Sequence, residues 1–403
     1  MKQSTIKLVS SEQKDFIKNK KDDLDRDLIH KLAHIPSHAL IISGVRRCGK
    51  STFLYQLAKN KSHNIFFLNF EDVRLFNFQV EHFELLDQVI AESGQRVLFF
   101  DEIQIIEGWE LFVRQKLDQG FEVVITGSNA SMLSSELGTK LTGRHISKEL
   151  FPFSYAEYLR FTKQKKSEKS FSKYIKQGGF PQFIKTKQND ILATLIDDIM
   201  YRDIAVRYSI RDIQALKKLC SYILSNSATL VVPSKLKQTL GINAASTILN
   251  YFSYFENTYL MNLMPKFSWS VRSQLLAPKK MYVIDSALIK AGSTAFNKDK
   301  GRLLETMVYW AFRRKHKTLY YFNENNAECD FVVPQADKTQ LIAQVCWELT
   351  LDNEKRELNG LMEALKFFDC TIGYIITYNN SDLILKEGKE IRVVPFYDFF
   401  DED

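Results

Sequence analysis

The segment Gly44-Val-Arg-Arg-Cys-Gly49-Lys50-Ser51 is preceded by the apolar, β-rich run Ala39–Ser43 and followed by the amphipathic stretch Ser51–Asn60. A strand, a loop bounded by two glycines and a helix is the context in which the pattern GxxxxGK[ST] binds phosphate. The glycines let backbone N–H groups wrap an anion, and the helix N-terminus adds partial positive charge. Lys50 then reaches the β- and γ-phosphates, and the Ser51 hydroxyl ligates Mg²⁺. ATP and Mg²⁺ are the expected cofactors, with Gly44, Gly49, Lys50, Ser51 and Thr52 as binding residues. An ordinary strand-to-helix turn is the rival reading, and it leaves the lysine and serine unexplained.

A second signal follows where the apolar run Val97-Leu-Phe-Phe100 ends in Asp101-Glu102. In a parallel sheet such a strand delivers both carboxylates to the edge that carries the phosphate loop. Asp101 is expected to hold Mg²⁺, and Glu102 to accept a proton from the attacking water or orient it. A kinase has no need of that second acid, so the pair favours hydrolysis. Val123-Val-Ile-Thr-Gly-Ser128-Asn129 is a further strand ending in small polar groups, of which Ser128 or Asn129 is placed to sense the γ-phosphate; Asn129 is preferred. Arg144 is the preferred γ-phosphate arginine, with Arg46, Arg47 and Arg202 as competitors.

Short apolar runs at Ala39–Ser43, Ile65–Phe70, Val97–Phe100 and Val123–Thr126 alternate with helical patterns, which predicts an α/β domain with a parallel sheet. Taken together and in order, GVRRCGKS, FFDEIQ, ITGSN and GRHISKELFPFSYAEY resemble the AAA-type prokaryotic ATPases that carry a C-terminal region related to restriction endonucleases. The resemblance extends to YRDIAVRYSIRD and KKMYVIDSAL. It implies a P-loop ATPase domain over residues 1–160, a helical linker and winged helix over 161–290, and a nuclease-like α/β domain over 291–403.

The middle region has its own signals. Lys235–Leu240 reads as a short helix stopped by Gly241, and Asn243 as the cap of a second helix over Ala244–Leu260, with apolar spacing at Ile248, Phe252 and Phe255. Ser246, Thr247 and Asn250 would face a groove, and the following stretch would form a β-wing bearing Lys266, Arg272, Lys279, Lys280 and Trp269. Between Ile213 and Ile284 one acid, Glu256, stands against eight cations, a local charge of +7 equal to that of the whole chain. That concentration is the footprint expected for double-stranded DNA.

In the C-terminal region Glu305, Asp330 and Gln344 fall where a nuclease core would place its metal-binding groups. Such a site needs an acid at 344 and a lysine at 346, and finds Gln344 and Cys346. Lys355 and Arg356 offer a possible substitute ammonium or guanidinium, but a degenerate, non-cutting scaffold is the simpler expectation.

The expected function is thus an ATP-driven switch acting on DNA, with a homo-oligomer possible. A signalling ATPase with a protein partner and an ATP-fuelled nuclease are the alternatives. At 45% apolar and 26% charged residues the composition excludes disorder. The N-terminal residues lack the apolar core of a secretory signal, and the five cysteines form no CxxC pair, so the expected location is the cytoplasm, away from membranes.

Overall fold

The structure is a computed structural model that describes residues 1–20, 24–32, 35, 37–61, 65–128, 141, 143–242, 244–293, 299–335 and 339–400. They form two compact units, Met1–Phe151 and Pro152–Asp403.

In the first unit the apolar runs become β1 (Ala39–Ser43), β2 (Ile65–Asn69), β3 (Val97–Asp101) and β4 (Glu122–Gly127), joined by β5 (His145–Glu149). The sheet order is β2-β3-β4-β1-β5 and every pairing is parallel. Helices α1 (Gln3–Asn19), α2 (Lys50–Asn60), α3 (Phe83–Ser93) and α4 (Trp109–Asp118) cover both faces. Strand alternation divides the core accordingly. Phe66, Leu68, Leu98, Phe100, Val123 and Ile125 pack with α3 and α4, whereas Phe67, Phe99 and Val124 pack with Leu54 and Ala58 of α2. Burial on both sides is why the strands read as unbroken apolar runs. Because all strands run the same way, their C-terminal ends share one edge, and the loop after β1 lies there together with the residues that end β3 and β4.

The second unit opens with α5 (Tyr155–Thr162), α6 (Glu168–Gln177), α7 (Pro181–Thr186), α8 (Asp190–Asp198) and α9 (Ile213–Ser225). The start of the expected helical linker is lysine-rich, and most of it lies in α6. Ser167 caps α6 by accepting from the Ser170 N–H at 3.2 Å, and Phe171, Tyr174 and Ile175 are buried beneath the solvated lysines. Residues Ile199–Val206, between α8 and α9, are π-helical.

Then come β6 (Thr229–Val231), α10 (Pro233–Leu240), α11 (Ala245–Asn257), β7 (Met261–Met264), α12 (Val271–Leu276) and β8 (Lys279–Val283). The three strands make an antiparallel sheet in the order β6-β8-β7. Gly241 ends α10 at φ +70°, a left-handed conformation that suits glycine. Ile248, Phe252 and Phe255 are fully buried, as their spacing predicts. Asn243, the expected cap of α11, lies outside the described residues. The stretch between β7 and β8, expected as an extended wing, contains α12, and its first residues are pinned to a neighbouring strand: the Phe267 N–H donates to the Tyr321 carbonyl at 2.7 Å.

The chain continues through α13 (Ser286–Gly292) and α14 (Lys300–Lys315) into β9 (Tyr320–Glu324), β10 (Ala327–Pro334), β11 (Gln340–Val345), α15 (Leu351–Phe367), β12 (Ile372–Thr377), β13 (Asp382–Lys386), β14 (Lys389–Pro395) and α16 (Phe396–Phe399). These six strands form one mixed sheet, β13-β14-β12-β11-β10-β9. Helix α15 lies so close to β10 that a Cβ on Gly360 would stand 1.9 Å from the Glu328 carbonyl oxygen, so only glycine fits. Among the described residues no helix is long and apolar enough to cross a membrane, and all five cysteines are free thiols.

Candidate nucleotide site

The loop between β1 and α2 is held by backbone geometry that the two glycines permit. Gly49 caps α2 at φ +102°, and a Cβ on Gly44 would lie 2.0 Å from the Leu150 carbonyl oxygen. That carbonyl also accepts the Cys48 thiol at 3.2 Å, and the Leu150 N–H donates to the Ser43 carbonyl at 2.7 Å. Arg26, itself buried, ties the arrangement together by donating to the carbonyls of Cys48 at 3.0 Å and Phe151 at 2.6 Å. Nothing in the local sequence marks Arg26, because its two partners lie 22 and 125 residues away.

Lys50, also buried, donates to the carbonyls of Gly44 at 2.8 Å and Val45 at 3.0 Å. Its ammonium therefore sits over the loop. Asp101 ends β3 in register with Asn69 of β2 and Thr126 of β4, and Thr126 Oγ1 donates to Asp101 Oδ1. The Ser51 hydroxyl also bonds the Asp101 carboxylate. Burial pushes Asp101 above the ordinary carboxylate range, against the pull of Thr126, Ser51 and Lys50. Its Oδ2 is buried and lacks a hydrogen-bond partner among the described residues.

Glu102 leaves the strand in a left-handed conformation, φ +56°, with its N–H donating to the Thr126 carbonyl at 3.2 Å and its Oε2 accepting from Gln104 Nε2. Burial, together with the negative charges of Asp101 and Glu71, outweighs Lys50 and raises its pKa to about 7. Glu71, just beyond β2, was missed in the sequence because it belongs to no motif, and Gln104, the last residue of FFDEIQ, because that motif gave it no role. Thr126 was legible as the polar end of an apolar strand, but its partner was not.

The structure thus brings Gly44, Gly49, Lys50, Ser51, Asp101 and Glu102 to one edge of the sheet, and Thr52 follows in the first turn of α2. Ser128 is buried at the end of β4. Asn129 lies outside the described residues. Arg144 is elsewhere: its carbonyl accepts from the N–H of Ala39, the first residue of β1, and its guanidinium donates to Asp118 at 2.7 Å. It lies at the N-terminal edge of the sheet, a strand length of about 15 Å from the phosphate loop of its own chain.

In the second unit Glu305, Asp330 and Gln344 do come together. Gln344 Oε1 accepts the Asp330 N–H at 3.1 Å, and Gln344 Nε2 donates to Glu357 at 2.8 Å. Neither Lys355 nor Arg356 supplies the missing cation, because Lys355 is exposed and Arg356 pairs with Glu357. Lys280 does: buried on β8, it lies 2.8 Å from Asp330, 3.2 Å from Glu305 and 2.6 Å from Glu328. Lys266 is ion-paired with Glu324 at 2.8 Å. Two of the four wing cations expected to meet DNA are therefore spent on acids of the same unit, which the sequence window, blind to acids beyond Ile284, counted as free charge.

Comparison with known proteins agrees with the first unit. A family model described as "AAA domain" matches residues 36–159, and one described as "Domain of unknown function (DUF8612)" matches 168–299. The uncharacterized protein MJ1544 of Methanocaldococcus jannaschii is 34% identical over 405 residues, covering 93% of this chain and 90% of that protein. An uncharacterized protein of Haemophilus influenzae is 31% identical over 333 residues, covering 77% of this chain and 82% of that protein. The chain belongs to the same family as these two proteins, and its residues 36–159 form an AAA domain of the nucleotide-binding, ATPase-like kind.

Proposed function

We propose that the chain is a Mg²⁺-dependent ATP-hydrolysing switch whose nucleotide state is passed to a DNA-binding C-terminal half. The observation that carries the hydrolytic part is the convergence of Lys50, Ser51, Asp101 and Glu102 on one sheet edge. ATP phosphates take over the Lys50 ammonium from the Gly44 and Val45 carbonyls. The unpartnered Asp101 Oδ2 beside the Ser51 hydroxyl fits Mg²⁺, which prefers oxygen donors. When bound there, the ion neutralises charge on the phosphates. Glu102, poised near pH 7, holds and deprotonates the water, a role that works best when the pKa lies close to the working pH. With no cis route from its sheet edge, Arg144 serves a neighbouring copy or not at all. Phosphate release from Mg-ATP, lost on substitution of Glu102, tests this reading.

The winged-helix reading, and DNA contact with it, rests on the order helix, strand, two helices, strand, short helix and strand from α9 to β8, with the three strands in one antiparallel sheet. Lys217, Lys218, Lys235, Lys237 and Arg272 are exposed, and Ser246 and Asn250 are exposed on α11. A salt-dependent titration with duplex DNA, with and without nucleotide, decides it. A protein partner is the second reading, favoured by one observation: Trp269, Leu275 and Leu276 around α12 are 77%, 69% and 75% exposed. The nuclease-like sheet is read as non-cutting, so neither Mg²⁺ nor Mn²⁺ should support cleavage of plasmid DNA.

A further inference from the structure

The acids that a nuclease would use for metal are already occupied. Lys280, Glu305 and Asp330 are 4%, 9% and 6% exposed, and the ammonium reaches three carboxylates, one for each of its protons. Two further hydrogen bonds hold the acids. Asp330 Oδ2 accepts the Val345 N–H at 3.0 Å, and Glu305 Oε1 accepts the Tyr282 hydroxyl at 2.7 Å. Tyr282 stacks on Tyr309 at 4.0 Å between ring centres, closing that side to solvent. Lys280 comes from β8 of the three-stranded sheet, its partners from α14 and β10 of the next layer.

We propose that the Lys280 ammonium is the resident cation of the Glu305–Glu328–Asp330 cluster, so that this region takes no divalent metal and acts as an ionic clasp fastening β8 to α14 and β10. The assignment stands on these contacts and not on the ATPase reading. Electrostatics agree. Burial alone would lower the Lys280 pKa, but Asp330, Glu305 and Glu328 outweigh it and hold the ammonium charged. Glu305 rises to about 7, through burial and then the neighbouring Asp330 charge, against the pull of Lys280. A buried ion pair is most sensitive to removal of one partner, because the other is left charged and unsolvated.

Thermal unfolding of the full chain tests the clasp. Lys280→Met should lower Tm by roughly 10 °C, and adding Glu305→Gln and Asp330→Asn to that variant should restore most of the loss. If Lys280→Met does not fold at all, recovery of a folded chain in the triple variant supports the clasp, and failure to recover overturns it. Unfolding of Lys280→Met at the wild-type temperature also overturns it. A Mn²⁺ titration gives a second readout on proteins that keep Lys280. Identical isotherms for wild type and Asp330→Asn are expected, and a Mn²⁺ site present in wild type but lost in Asp330→Asn contradicts the proposal.

Discussion

Lys50 Nζ donates to the Gly44 carbonyl oxygen at 2.8 Å, spanning the loop whose two ends these residues mark. The ammonium is thus stationed where phosphate oxygens can replace a carbonyl partner with a charged one, which strengthens the bond. Lys50→Ala should remove that charge-assisted contact, worth about 1.5–3 kcal/mol, and weaken Mg-ATP binding by roughly 10- to 100-fold in a fluorescent-nucleotide titration. Tm without nucleotide should change little. Wild-type affinity in Lys50→Ala would remove the lysine from the nucleotide site.

Glu102 sets the pH dependence. Its pKa of about 7 means that the carboxylate is ionised above that value and protonated below it, so the base is lost as pH falls through about 7. kcat for ATP should drop along an acid limb centred there. Gln104 donates to the ionised form and lowers its pKa, so Gln104→Leu should move the limb to higher pH. A kcat profile that is flat from about pH 6 to about pH 8 would contradict the role of Glu102 as base.

The parallel sheet and the phosphate loop were legible because both depend on neighbours in the chain: apolar runs buried on two faces, and glycines that a tight loop demands. What escaped reading was contact across long separations. Arg26 holds the loop from a residue 22 positions upstream, and Lys280 finds acids 25 and 50 positions downstream. Charge counting failed for the same reason, since a window cannot see which lysine meets which carboxylate. Where Arg144 lies was not legible, because order along the chain does not say which edge of a sheet a residue reaches. It follows β4 in the chain, yet it stands just before β5, at the opposite edge.

That position leaves Arg144 one catalytic option, in trans. ATPase activity per chain should then rise with protein concentration, and mixing Arg144→Ala with Glu102→Gln should restore part of the turnover that each lacks. Activity strictly proportional to concentration, without rescue on mixing, would assign Arg144 to its salt bridge with Asp118 alone.

For DNA, the internal pairing of Lys266 and Lys280 narrows the contacts between β7 and β8 to Arg272 and Lys279. Replacing both with Ala should weaken duplex binding and reduce the log–log salt slope by about one per lost phosphate contact. Lys266→Ala should leave the slope unchanged. If Arg272 and Lys279 prove equally silent, the exposed face around Trp269 and Leu276 becomes the favoured interface, with a protein on the other side.

The most direct test of the account is phosphate release from Mg-ATP by wild type and Glu102→Gln, measured beside nucleotide affinity on the same preparations. The convergence of Lys50, Ser51, Asp101 and Glu102 predicts slow hydrolysis by wild type. In Glu102→Gln it predicts affinity within about twofold of wild type and turnover reduced by roughly 10²-fold or more, as when a general base is removed. Undiminished hydrolysis by Glu102→Gln, or no hydrolysis by wild type under any DNA or nucleotide condition, would contradict it.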